Sequence, residues 1–192
     1  MSREFEVPRI VTLDASPEQV WSAVTTGQGV ASWLFPTGGD PEPRVGGSAW
    51  GGHIVQAWDP PSHYGVRADG ENGWFNALDY VIEANGATTT LRYVHSGIFV
   101  DNWDTQFDAA SLHTDFYLHS LGEYLRHFAG RPVVYVAANG TPESSAPDAL
   151  GRLADALSAG AVGSVAALDV PGFREEEGVV DYRTDHFLGI RT

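Results

Sequence analysis

The chain has 192 residues, 43% of them hydrophobic, with 11 Lys+Arg against 25 Asp+Glu and a formal net charge of −14. That length buries one full core with an appendage and needs no metal or disulfide to hold it. The acidic balance repels a phosphate backbone and so excludes nucleic acid as a partner. The absence of cysteine removes disulfides, thiolate nucleophiles and thiolate-bound zinc or iron–sulfur centres. Neither a bilayer-spanning apolar run nor an N-terminal apolar signal region is found, so the expected setting is cytoplasmic, with no membrane partner.

In chain order, residues 5–13 (FEVPRIVTL) carry Phe5, Val7, Val11 and Leu13 at alternate positions and predict a half-buried strand. Ser16, Pro17 and Gln19 then form a capping-box pattern that starts a helix over 17–25. Gly27 and Gly29 interrupt the pattern before Val30, Trp33 and Leu34 resume helical spacing, predicting a second short helix that ends near Phe35 and Pro36. A Gly/Pro-rich loop follows over 36–47. Residues 50–58, 63–69, 74–84 and 88–96 read as four strands joined by the turn sequences DPPS, DGENG and ANGA. A long amphipathic helix is expected over 108–128, with Ala110, Thr114, Tyr117, Leu121, Tyr124 and Phe128 at spacings of four and three, stopped by Gly130 and Pro132.

Strand, two short helices, a meander and a closing helix make an α+β layer structure. The stretches SPEQVWSAVTTGQGVASWLFP, GGHIVQAWDPPSHYGVR, TTTLRYVHSGI and GEYLRHFAGRP, taken in order over residues 5–132, are similar to the START-like (SRPBCC) superfamily. Within it they resemble the branch of the heat-shock-protein ATPase activator. The resemblance implies a helix-grip fold, a curved antiparallel sheet wrapped around the long helix with a cavity between them. It leaves function open, because lipid carriers, polyketide cyclases, hormone receptors and co-chaperone-like proteins share that fold.

Residues 1–132 are thus expected to form a START-like ligand-binding domain, and 133–192 an α/β extension. In the extension VVYVAA reads as a strand, APDALGRLADAL as a helix and EEEGVVDYRTDHFLGIR as a strand pair. APDALGRLA echoes SPEQVWSAV, and GVVDYRTDHFLGIR echoes GHIVQAWDPPSHYGVR with two residues missing in the turn. A degenerate partial repeat and chance similarity both account for this. A bare strand edge in such a half-copy would invite pairing, which leaves monomer and homodimer open.

The seven histidines, at 53, 63, 95, 113, 119, 127 and 186, include no pair at metal-binding helical spacing, and no Gly-rich loop opens a helix after a strand. No metal or nucleotide cofactor is expected. Ser96 lacks the flanking glycines of a nucleophile elbow. Asp115 and His119, four apart, allow an oriented imidazole or a surface ion pair. His95 is the better candidate, since period two sets it on one strand face with Leu91 and Tyr93. It either hydrogen-bonds a ligand carbonyl or acts as a general base, or it is a core histidine bonded to a backbone carbonyl. Ser96 and Gly97 are expected to end the strand. Trp33, Trp50, Trp74, Phe75, Phe99 and Trp103 are expected to rim the cavity, with His53 beside them and His113 and Tyr117 facing it from the long helix. Asp79 shares a strand face with Phe75, Ala77 and Val81, a face taken here to look into the cavity, and is either an outward acid or a buried one. The leading expectation is a binder of a hydrophobic or aromatic small molecule. A cofactor-independent cyclase, aromatase or lyase using His95, Tyr93 and Asp79 is the enzymatic alternative, and a co-chaperone-like interaction module the third.

Overall fold

The computed structural model describes residues 3–99, 102–169 and 174–192. Val100 and Asp101, in the run that follows His95, lie outside them. The chain divides into two compact units, Met1–Tyr135 and Val136–Thr192. Among the described residues no helix is long and apolar enough to cross a membrane.

The first unit is an α+β layer. Strands β1 (Arg3–Leu13), β2 (Ile54–Asp59), β3 (His63–Asp69), β4 (Phe75–Asn85) and β5 (Thr88–Phe99) form one antiparallel sheet in the order β1-β5-β4-β3-β2. Pro8, which cannot donate to a ladder, is tolerated because β1 is an edge strand. Helix α1 (Pro17–Thr25) starts on a complete capping box: Ser16 Oγ accepts from Gln19 N, and Gln19 Oε1 accepts from Ser16 N. Helix α2 (Gly27–Ala31) is shorter than the spacing predicts, because Ser32 closes it and Trp33 turns into the core. Helix α3 (Trp103–His127) closes the layer and begins five residues earlier than expected.

The core joins both layers. Val20, Ala23 and Val24 of α1, Leu118, Leu121 and Leu125 of α3, and Val55, Tyr64, Val66, Tyr80, Ile82, Leu91 and Tyr93 of the sheet are all buried together. Helix α3 runs alongside β1 in the same direction: Trp103 Nε1 donates to Glu4 O, Arg9 pairs with Asp115, and Arg126 pairs with Asp14. Its fully buried residues, Thr114, Leu118, Leu121 and Leu125, all lie beyond its first turns.

Three expectations are corrected within this unit. Trp50 opens a single 3₁₀ turn, Trp50–Gly52, and the strand starts at Ile54, because Gly51 and Gly52 take positive φ of 61° and 81°. Ser96 and Gly97 do not end β5, which continues to Phe99; Gly97 leaves room for Phe5, whose ring would lie 2.7 Å from a side-chain carbon placed there. Phe75, Ala77, Asp79 and Val81 occupy the outer face of β4, since its buried residues are Leu78, Tyr80 and Ile82.

The second unit contains helix α4 (Ala149–Ala156) and an antiparallel sheet of β6 (Val165–Leu168), β7 (Glu176–Arg183) and β8 (Leu188–Arg191), ordered β6-β7-β8. VVYVAA is not a strand: residues 132–140 join no sheet and are exposed, Val134 at 87% and Val136 at 83%. Its alternation of valines has the propensity for β structure but no neighbouring strand to complete a ladder.

Candidate functional site

Period two along β5 sets Leu91, Tyr93, His95 and Gly97 on the inner face, and the register carries that face across the sheet: Val7 and Leu78 flank His95, and Phe5 and Asn76 flank Gly97. Asn76 Nδ2 lies 2.8 Å from His95 Nε2, and its Oδ1 lies 3.3 Å from His53 Nε2. His53 Nδ1 is 2.9 Å from Trp50 O, a carbonyl, so that nitrogen carries a hydrogen and donates. In its neutral form His53 then offers a bare Nε2, which needs a donor. Turning the Asn76 amide over supplies one, with Nδ2–H donating to His53 Nε2 and Oδ1 accepting from His95 Nε2–H. All three side chains are satisfied in that arrangement. Nδ1 of His95 is left as a bare acceptor with no hydrogen-bond partner among the described residues.

Aromatic rings frame the polar row. Phe5 meets the His95 ring edge-on at 5.0 Å and stacks on Phe99 at 4.0 Å. At the other end Trp50 lies against His53 at 4.4 Å, with Phe35 edge-on to Trp50 at 5.8 Å. His53 is buried, while Asn76, His95, Phe99 and Trp50 are half-buried. Burial, followed by repulsion from His53, pushes the His95 pKa down to about 4, so the imidazole is neutral at physiological pH. Deeper along the same face Tyr93, Tyr80 and Tyr64 form a row of rings at 5.1 and 5.9 Å. Burial holds all three hydroxyls protonated, well above the ordinary tyrosine range.

Of the residues singled out in the sequence, His95, His53, Trp50 and Phe99 converge on this site. Tyr93 lies one step deeper, 8% exposed beneath Thr114. Trp33 is a core residue, 7% exposed, whose Nε1 donates to Ala23 O and ties the two short helices together. Trp74 lies against Gly70 in the β3–β4 connection, and Trp103 stacks on Phe107 beneath the Arg3 guanidinium. His113 is exposed and donates from Nδ1 to Ala109 O of its own helix, with the half-buried Tyr117 ring 5.9 Å away. Phe75 and Asp79 face away from the site: the Arg67 guanidinium sits 3.8 Å over the Phe75 ring, and Asp79 bonds His63 at 2.8 Å with 46% of its side chain exposed. Asp115 bonds Arg9 rather than a histidine, at 2.5 and 2.9 Å. The sequence reading missed Asn76 and the site role of Phe5. Alternation backwards from Ile82, Tyr80 and Leu78 would have set Asn76 on the inner face, where an amide must find partners.

The fold is shared with known structures. A solution structure of the Aha1 dimer from Colwellia psychrerythraea is 20% identical, with a TM-score of 0.51 over 66% of this chain and 99% of that one. Mll3558 from Rhizobium loti is 22% identical, with a TM-score of 0.52 over 65% of this chain and 99% of that one. DynU16, a putative protein in the dynemicin biosynthetic locus, is 19% identical, with a TM-score of 0.52 over 91% of this chain and 70% of that one. No curated protein matches the sequence. The model of one family matches residues 14–126, more than half of the chain and nearly all of the layered unit from the α1 cap to the end of α3, and the chain belongs to that family, described as Activator of Hsp90 ATPase homolog 1-like protein.

Proposed function

We propose that the first unit binds an apolar or aromatic small molecule bearing a hydroxyl or N–H group, received at the His95 end of the inner sheet face. The observation that carries this reading is the His53–Asn76–His95 row. Three polar side chains are held by one another on a face otherwise made of aromatic and aliphatic groups, and the last has an acceptor nitrogen to spare. Buried polar groups cost stability unless satisfied, and a ligand donor facing His95 Nδ1 would complete the set. Phe5, Phe99 and Trp50 supply the flat apolar contacts such a ligand needs.

The enzymatic alternative gains less from this geometry. A general base works best with a pKa near the working pH, and that of His95 is about 4. Tyr93 stays protonated, and Asp79 is on the opposite face. The co-chaperone-like reading draws on the family description alone.

Native mass spectrometry of the purified chain, paired with thermal-shift measurements against phenols and polycyclic aromatics, tests the proposal. The expected result is a retained small molecule, or a rise in Tm with such compounds, that is weakened at least tenfold in affinity by Asn76→Leu and by His95→Leu. An unliganded mass with no thermal shift for any hydroxyl- or N–H-bearing aromatic would overturn it.

A further inference from the structure

The hydrogen bonds of the second unit repeat those of the first. In the first, Gly47 N donates to Arg44 O, Gly46 N to Val55 O, and Val55 N to Gly47 O. In the second, Ser164 N donates to Ala161 O, Gly163 N to Val180 O, and Val180 N to Ser164 O. The turn glycine takes positive φ in both, 79° at Gly46 and 92° at Gly163. Ser48 faces Ile54 as Val165 faces Val179.

The hairpins agree as well. Ile54↔Arg67, Val55↔Val66 and Ala57↔Gly65, with an extra residue at Gln56, correspond to Val179↔Arg191, Val180↔Ile190 and Tyr182↔Gly189, with an extra residue at Asp181. A bulge at the same place in the same register is far more specific than the sequence echo. It also sets Val180 on Val55, one position away from the pairing of Gly178 with Gly52 that the sequence echo suggests.

The copy is incomplete in a defined way. In the first unit the far edge of β3 is taken by β4, antiparallel, with Val66 opposite Leu78. In the second, β8 is the terminal strand of its sheet. The buried core behind it is Ala154, Ala159, Ala166 and Val180, with Leu157, Leu188 and Ile190 only partly covered. So small a core leaves a unit marginal by itself.

We infer that residues 161–165 and 179–191 are a second copy of residues 44–48 and 54–67, and that the edge of β8 away from β7 pairs antiparallel with β8 of a second copy of this chain, giving one six-stranded sheet. The strand is self-complementary. Antiparallel partners share a face, and with Gly189 opposite Gly189 the apolar Leu188 meets Ile190. Gly189 cannot carry a side chain without meeting Asp181 Oδ1 and, at 2.9 Å, Tyr182 Cβ. The two backbones are therefore bare where the axis would pass. Such an isologous contact closes on itself and stops at two chains. None of this depends on a ligand in the first unit.

Sedimentation equilibrium of the full chain, combined with hydrogen–deuterium exchange of the 188–191 amides across a dilution series, decides the matter. The expected result is twice the 20.7 kDa chain mass, with the β8 amides that point away from β7 protected in the dimer and exchanging at least tenfold faster once dilution yields monomer. A monomer at every concentration overturns the pairing. So does a dimer in which those amides exchange equally fast at all dilutions, because its contact then lies elsewhere.

Discussion

Burial strips the His95 imidazolium of hydration, and the shift that results is a statement about stability. Its folded pKa of about 4 lies below the ordinary value of 6.5, so between those values the unfolded chain holds a proton that the folded chain does not. Stability is therefore at full value above about pH 6.5 and falls as pH drops through that window, by up to about 3 kcal/mol, levelling off below about pH 4. Urea titrations at a series of pH values should show this loss, and His95→Leu should flatten it. An unchanged slope in that variant would place the titrating group elsewhere. On the edge strand, Arg9 grips Asp115 with two nitrogens and Ser111 with one, and fastens β1 to α3 beside the site. The pair is partly exposed, so Asp115→Ala is expected to cost about 1 kcal/mol, seen as a shift in urea midpoint with m unchanged.

Elements are decided by their ends and their neighbours. The Ser16–Gln19 box and Pro17 were legible because capping is local chemistry, and α1 spans the residues they predict. Ser16→Ala should destabilise the first unit by about 1 kcal/mol in chemical denaturation, with Ser16→Asp close to wild type. A fall as large for Asp as for Ala would mean the serine matters for packing and not as a cap. Strand ends were less legible. Gly97 reads as a terminator in isolation, yet it is the position at which Phe5 crosses β5, and the strand continues past it. VVYVAA has strand composition and no strand, because pairing depends on what lies alongside.

At the scale of the whole molecule the two units have unequal cores, one built from both layers of a helix-covered sheet and the other from four buried residues, three of them alanine. All six tryptophans, at 21, 33, 50, 58, 74 and 103, belong to the first unit. Fluorescence therefore reports that unit alone, whereas far-UV circular dichroism reports both. In a urea titration the dichroism transition is expected to begin at lower denaturant than the fluorescence transition. Coincident curves would mean that the two units unfold as one cooperative body.

Periodicity and capping determined the order and type of most elements in residues 5–128, because those patterns follow from backbone geometry and need only near neighbours. They also set His95 on the inner face of its strand. Which face of β4 looks inward was misread, since Asn76 and Asp79 are both polar and only pairing with β3 and β5 tells them apart. That choice brought Asn76 between two histidines and sent Asp79 outward to His63. The partial repeat likewise stayed ambiguous as letters and became specific as hydrogen bonds, because a bulge is a property of two strands together and no single segment records it.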